Sequence, residues 1–400
     1  MVESAYTHIQ WMTLGVTETR RVSTAPTRPA AADEIPVIDL ENLWFYGAER
    51  TKPPDSSGSP QEAKARIASA IGKAATSTGF FYVTRHGISQ SVVSNAYRQA
   101  KRFFAQPLDW KMRVHSRHDP LGNGYSPICS GQINKSETKD HKEGFNFRYQ
   151  LKHDPLHVGR HSAHDPAPDQ GGDWIWEKTR DLDGFENDTV AWWQGCLELS
   201  RCLVRLFALA LDLDEDYFDH ITTHPGSDGL YICYPGTPEV ATKTNDKDDM
   251  RKKKTEVGIG SHTDMQCFTL LWQDDSGGLE VLKQQNGVPY SYEWIGAVPK
   301  RESLVVNIAD FLQRLSNDRF RSTVHRVYNC QSAPRYSMPF FFGFNYDAEC
   351  AVVPTCVDES HPLKYEPISC GKWRDERMEQ ARTASAASWT PVAQQEPDLP

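Results

Sequence analysis

A histidine and an aspartate stand two residues apart in 261-SHTDMQCFTLLWQD-274, at the head of a run that otherwise reads as a buried strand. Side chains two apart on a β-strand leave the same face, so His262 and Asp264 are expected to converge. The third ligand candidate is His325, in 317-NDRFRSTVHRV-327. Two imidazoles and one carboxylate form a facial triad with open coordination positions, which suits Fe(II) that must take a co-substrate and O₂ together. Zinc more often occupies closed tetrahedral sites. Spacing alone does not select His325, because the chain has 14 histidines.

Beyond His325, 335-RYS-337 opens an aromatic strand. Arg335 and Ser337 share a face there, and a guanidinium fork beside a hydroxyl is equipment for gripping a carboxylate. The alternative is an internal salt bridge to a protein carboxylate, since a buried arginine without a partner is costly. Asn307 and Asp310, between these motifs, read as structural.

The elements that must position these groups are mostly strands. Short apolar or alternating runs recur at 230-LYICYP-235, 256-EVGIGSHTD-264, 267-CFTLLWQ-273, 278-GLEVLK-283, 303-SLVVNIAD-310, 321-RSTVHRVYN-329 and 336-YSMPFFFGFN-345. Such strands, separated by Gly, Asp and Asn turns, indicate an antiparallel barrel or double sheet. Ahead of them lie the strands 35-IPVIDL-40 and 79-GFFYVTRHGI-88, with a helix between them through Ile67, Ile71 and Ala74. A second helix runs through Val93, Tyr97 and Phe104 and stops at Pro107; a long amphipathic one starts at Asp188 and packs on the sheet.

Taken in order, 35-IPVIDL-40, 79-GFFYVTRHGI-88, 140-DHKEGFNF-147, 234-YPG-236, 260-GSHTD-264, 307-NIADFLQRLSNDRFRSTVHRV-327 and 335-RYS-337 resemble the isopenicillin N synthase-like family of Fe(II)- and 2-oxoglutarate-dependent dioxygenases, over about residues 34–347. The resemblance implies a mainly β fold with flanking α-helices around a double-stranded β-helix (jelly-roll, cupin-like) core. It implies iron held by His262, Asp264 and His325, and 2-oxoglutarate gripped at its distal carboxylate by Arg335, Ser337 and Tyr234. The implied reaction is hydroxylation, desaturation or ring formation at an unactivated C–H bond of a small organic molecule, with O₂ consumed and succinate and CO₂ released. Asp264 argues against halogenation, for which family members replace the carboxylate ligand. Ile232 stands where many plant relatives have Asn, and the charged stretch 241–256 is longer than most members carry. An oxidase of the same fold that needs no 2-oxoglutarate, and a catalytically silent receptor, are the competing readings.

Alternation beyond Arg335 puts Ser337, Pro339, Phe341 and Gly343 on the inward face and Met338, Phe340 and Phe342 outward, so Phe341 and Gly343 are expected to line the substrate space. The strand 144-GFNFRYQL-151 should form the opposite wall, with Asn146 and Arg148 on one face and Phe145 and Phe147 on the other; which face is inward stays open. The expected layout is a loose N-terminal arm (1–33), a helix-and-strand region (34–225), a jelly-roll core (226–375) and a C-terminal tail (376–400).

A formal net charge of -9 and a single basic cluster, 251-RKKK-254, behind the acidic 246-DKDD-249, give no phosphate-backbone footprint. No apolar run reaches a membrane span. The 9 cysteines are scattered without CxxC pairs and read as reduced thiols. The expectation is a cytoplasmic enzyme, monomeric or weakly dimeric, acting on a small molecule, with neither nucleic acid nor membrane as partner. Substrate class is open among terpenoid, polyketide, alkaloid and amino acid.

Overall fold

The computed structural model describes residues 5–14, 16–41, 60–157, 172–236, 257–288, 290–329 and 331–383. Two antiparallel-dominated sheets face each other. The larger joins β4 (Val37–Asp39), β5 (Phe80–Thr84), β13 (Ser303–Ile308), β10 (Phe268–Gln273), β15 (Arg335–Asn345), β8 (Pro225–Tyr234), β7 (Glu143–Arg148) and β6 (Gly124–Ser126), in that spatial order. The smaller runs β1 (Tyr6–Thr13), β2 (Val16–Ser23), β12 (Ser291–Gly296), β11 (Leu279–Gln284), β14 (His325–Val327) and β9 (Ile259–His262), with β3 (Arg28–Pro29) beside β12. This is the expected jelly roll.

Helices cover the outer face of the larger sheet. α1 (Pro60–Thr76), α2 (Gln90–Phe104) and α5 (Phe185–Ala210) do most of this; α3 (Leu108–Met112) and α4 (Asp173–Thr179) are short. α2 is started by Ser89, whose hydroxyl accepts from Val92 N at 3.3 Å. Its Val93, Ala96, Ala100 and Phe103 then form one apolar stripe. α5 begins at Phe185, a few residues earlier than its periodicity suggests, directly after Gly184 at φ 71°. Met338, Phe340 and Phe342 of β15 are buried in this helical layer, as their alternation predicts. Burying each such side chain stabilises the fold by roughly 1.5–3 kcal/mol.

The two chain ends differ from expectation. Residues expected as a loose arm form the β1–β2 hairpin, in register from Tyr6↔Ser23 to Thr13↔Val16, and β2 pairs in parallel with β12. Trp11 and Val22 are buried against Leu282, Trp294 and Val324, which is what holds the arm. The expected tail is helical to residue 383: a C-terminal helix, Cys370–Thr383, packs on β15. Nor do the strands before residue 225 form a separate unit, since β4–β7 complete the larger sheet. The charged stretch 241–256 lies outside the described residues.

Candidate active site

His262 ends β9 and is paired across to His325 on β14, so the two ring centroids are only 4.3 Å apart. Asp264 lies just past the end of β9, so strand alternation is not what aims it. Its backbone is fixed instead: Asp264 O accepts from Asp310 N at 2.9 Å, and Thr263 Oγ1 donates to Asp310 Oδ2 at 3.2 Å. Asp264 Oδ1 sits 3.6 Å from His262 Nε2 and 3.8 Å from His325 Nε2. All three ligand atoms fall within 4.8 Å of one another, and all three residues are buried.

Each ligand's second polar atom is engaged. His262 Nδ1 meets Gly260 O at 2.7 Å and His325 Nδ1 meets Thr323 O at 3.1 Å. Carbonyls can only accept, so both rings carry their proton on Nδ1 and turn a lone pair on Nε2 toward the common centre. Asp264 Oδ2 accepts from Thr269 Oγ1 at 2.6 Å and from Asn307 Nδ2 at 2.8 Å, which leaves Oδ1 for a metal. Burial and the neighbouring His325 push His262 down to about 3. Burial alone would raise Asp264, but the His325 and His262 charges and the two hydrogen bonds outweigh it and hold the carboxyl below its ordinary range. Two imidazole Nε2 atoms and one carboxylate oxygen converging within 4.8 Å form a donor set that fits a divalent ion with open positions.

Arg335 is 1 % exposed. Its Nε donates to Gly277 O at 2.5 Å and its Nη2 to the Gln273 carboxamide at 3.1 Å. Its Nη1 is buried with no hydrogen-bond partner, and no carboxylate of the described residues pairs with it. The internal salt bridge is therefore absent there, and the fork presents an open N–H to the barrel. Ser337 follows on the same face, and Tyr234 is Arg335's partner on β8. Burial raises the Tyr234 phenol, opposed by the charge of Arg335, whose guanidinium carbon lies 4.8 Å from the centre of the Tyr234 ring. An orphaned guanidinium edge flanked by two hydroxyls fits a ligand carboxylate.

The β7 question is answered by packing. Phe145 and Phe147 pack, tilted or edge-on, against Phe103, Trp176 and Phe185 of the helical layer and Tyr231 of β8, which leaves Asn146 and Arg148 on the inner face. Phe341 also lies inward, half-buried, between Thr269 and Asp228 in register. Gly343 differs from expectation. A β-carbon there would come within 3.0 Å of Cys370 Sγ and 3.4 Å of Gln266 Cδ, so the C-terminal helix covers it and it does not line open space.

Sequence reasoning missed two inner groups. Lys142 precedes β7 on the alternation of Asn146 and Arg148. Burial lowers its ammonium, Asp140 partly offsets this, and its charge reaches His262. Gln266, two residues beyond Asp264, is 5 % exposed and has no partner at either amide atom. A lysine ahead of a strand and a glutamine in a loop carry no motif; only the alternation 142, 144, 146, 148 could have pointed to the first.

A jelly roll with a His-Asp-His cluster at one end of its strands and an orphaned arginine beside it defines a non-haem iron oxygenase that uses a 2-oxo acid. The comparisons agree. Residues 35–170 match the family of the N-terminal region of non-haem dioxygenases in morphine synthesis, and residues 229–344 match the 2OG-Fe(II) oxygenase superfamily. The 2-oxoglutarate-Fe(II) type oxidoreductase ppzC of Metarhizium majus is 35% identical over 370 residues, covering 90% of this chain and 91% of that protein. The corresponding hxnY oxidoreductase of Emericella nidulans is 31% identical over 348 residues, covering 86% and 88%. Among solved structures, full-length Neurospora crassa T7H with α-ketoglutarate and thymine superimposes with a TM-score of 0.66 at 25% identity, covering 89% of this chain and 99% of that one. The chain belongs to the 2-oxoglutarate- and Fe(II)-dependent oxygenase superfamily and is an oxidoreductase of that class. No helix among the described residues is long and apolar enough to cross a membrane.

Proposed function

We propose that His262, Asp264 and His325 hold one Fe(II), that Arg335 takes the distal carboxylate of 2-oxoglutarate with help from Ser337 and Tyr234, and that a small organic substrate of secondary metabolism enters over Phe341, Asn146 and Arg148. The observation that carries this reading is the buried Arg335 edge, whose unpartnered Nη1 lies on the larger sheet while His262 and His325 stand on the smaller sheet facing it. When bound, iron and 2-oxoglutarate supply an O₂-derived oxidant able to take hydrogen from an unactivated C–H bond, leaving succinate and CO₂. The chain's own work is positional. Gly260 and Thr323 carbonyls fix the tautomer of each histidine, while Thr269 and Asn307 fix which carboxylate oxygen faces the metal. The helical layer and the C-terminal helix keep the barrel floor dry, which strengthens every charge interaction inside it.

The Neurospora protein, similar over most of its length, was solved with thymine, a small heterocycle, which supports a small-molecule substrate here. The eight described cysteines are all free thiols, which supports a reducing, cytoplasmic setting. The test is succinate release by purified, iron-loaded protein with and without 2-oxoglutarate. Oxidised product formed without 2-oxoglutarate, and with no succinate, would favour the oxidase reading instead.

A further inference from the structure

Polar groups without partners are rare in protein interiors, and each costs stability, so a cluster of them asks what satisfies it. One such cluster lines the inner face away from Arg335, between β7, β8, β15 and the C-terminal helix. Arg148 Nε and Nη1, Asp228 Oδ1, both amide atoms of Gln266 and the Tyr346 hydroxyl are all buried without a hydrogen bond among the described residues. Arg148 is nine-tenths buried, its side chain 9% exposed, and Gln266 is 5 % exposed.

These groups are contiguous. Arg148 pairs in register with Asp228, and Asp228 with Phe341, whose other neighbour is Thr269, the residue that orients Asp264. Gln266 lies over Gly343; Gly343 abuts Gly226, which abuts the Tyr346 ring. The Tyr346 phenol in turn feels Asp228, Arg374 and Arg148. At about 4.8 Å per strand, Asp228 stands only about 10 Å along the sheet from Thr269.

The pattern of orphans is selective. Arg148 Nη1 and Asp228 Oδ1 form an ion pair at 3.5 Å without a hydrogen bond, and Arg374 Nη2 faces the other carboxylate oxygen, Oδ2, at 4.0 Å, so Oδ1 is the open acceptor and Arg148 the open donor. Gln266 offers the same donor and acceptor pair again. A ligand carboxylate would satisfy Arg148 but would face the Asp228 carboxylate and leave its oxygen unpaired. A ligand ammonium would do the reverse. A group with N–H and C=O side by side on one edge serves the donor and the acceptor of this pair together, its C=O taking Arg148 and its N–H reaching Asp228 Oδ1.

We infer that the substrate of this oxygenase carries a cyclic amide edge, a lactam or imide, whose C=O accepts from Arg148 and whose N–H donates to Asp228, with Gln266 completing the contact. This rests on the functional reading above, which places the substrate on this wall. The contact fixes one end of the substrate and leaves its far end to reach the metal across Phe341.

The experiment is anaerobic calorimetry on the full chain loaded with Fe(II) and 2-oxoglutarate, using glutarimide and 2-piperidone, their N-methyl counterparts, and valerate as probes. The expected result is binding of the N–H probes, at least tenfold weaker binding of the N-methyl forms, and valerate weaker than either lactam. Equal binding of N–H and N-methyl forms, tighter binding of valerate, or no binding of any probe by protein that still releases succinate would each overturn the inference. Protein that releases no succinate under any condition would instead sink the functional reading. A second measurement is independent of binding. Replacing Arg148→Leu and Asp228→Leu together removes the three orphaned atoms of this pair and leaves Arg374 its Asp375 partner at 3.3 Å, so the unfolding midpoint should hold or rise, as for functional polar groups kept at a cost in stability. A lowered midpoint would make the pair structural and overturn the assignment.

Discussion

Arg377→Met tests the clasp that ties both chain ends to the metal loop. Asp310 is fully buried, and its carboxylate collects Thr13 Oγ1 at 3.1 Å, Leu14 N at 3.3 Å, Thr263 Oγ1 at 3.2 Å and Arg377 Nη2 at 3.0 Å. One carboxylate thus joins the N-terminal hairpin, the C-terminal helix and the residue between His262 and Asp264. Methionine keeps most of the arginine's volume but removes the charge, and breaking one side of a buried pair costs about 3–5 kcal/mol. The hydrogen bonds from Thr13, Leu14 and Thr263 still stabilise the anion, so the loss should lie near the lower end, about 3 kcal/mol. Urea unfolding of metal-free protein, followed by tryptophan fluorescence, reads this directly. Because Thr263 is held by the same carboxylate, Fe(II) affinity should fall as well. A loss below about 1 kcal/mol, or unchanged metal affinity beside a large loss, would refute the coupling.

Thr269→Val and Asn307→Ala each remove one hydrogen bond from Asp264 Oδ2; Fe(II) affinity should drop about 10–100-fold in each, measured by metal competition. Arg335→Lys should raise the apparent 2-oxoglutarate constant about tenfold or more, because an ammonium cannot reproduce the fork. Ser337→Ala and Tyr234→Phe should each cost only about 1 kcal/mol, read in the same titration. Asp154 and Arg201 form a buried bidentate pair at 2.8 and 2.7 Å. Burial would raise the Asp154 carboxyl, but the Arg201 hydrogen bonds and charge hold it below its ordinary range. Its folded value thus lies under the unfolded value of about 3.9, so its contribution is complete above that pH and is lost as pH falls through the folded value. Asp154→Asn should therefore be much less stable than the wild type near neutrality, and the gap should close in unfolding curves taken below about pH 4.

What was legible in the sequence is what period-two alternation encodes. Met338, Phe340 and Phe342 against Ser337 and Phe341 could be sorted by face from spacing alone, and Arg335 and Ser337 came with them. The triad was legible through motif order, although the aim of Asp264 depends on a loop held by Asp310, which spacing cannot reveal. The β1–β2 hairpin was hidden because its burial comes from Leu282, Trp294 and Val324, far along the chain. The Asp310–Arg377 pair likewise spans elements with no local signature, and Asp310 read as merely structural. Arg148 was singled out without a face because both faces of β7 are covered, one by the helical layer and one by the barrel interior. There, a polar side chain marks function and breaks no packing rule.

The most direct measurement is the iron content of purified wild-type and Asp264→Ala protein after anaerobic Fe(II) loading, with circular dichroism on both and succinate release assayed alongside. The account predicts one iron per wild-type chain with 2-oxoglutarate-dependent succinate, and an Asp264→Ala protein that keeps its fold but loses both. Iron stoichiometry and turnover retained in folded Asp264→Ala would contradict it.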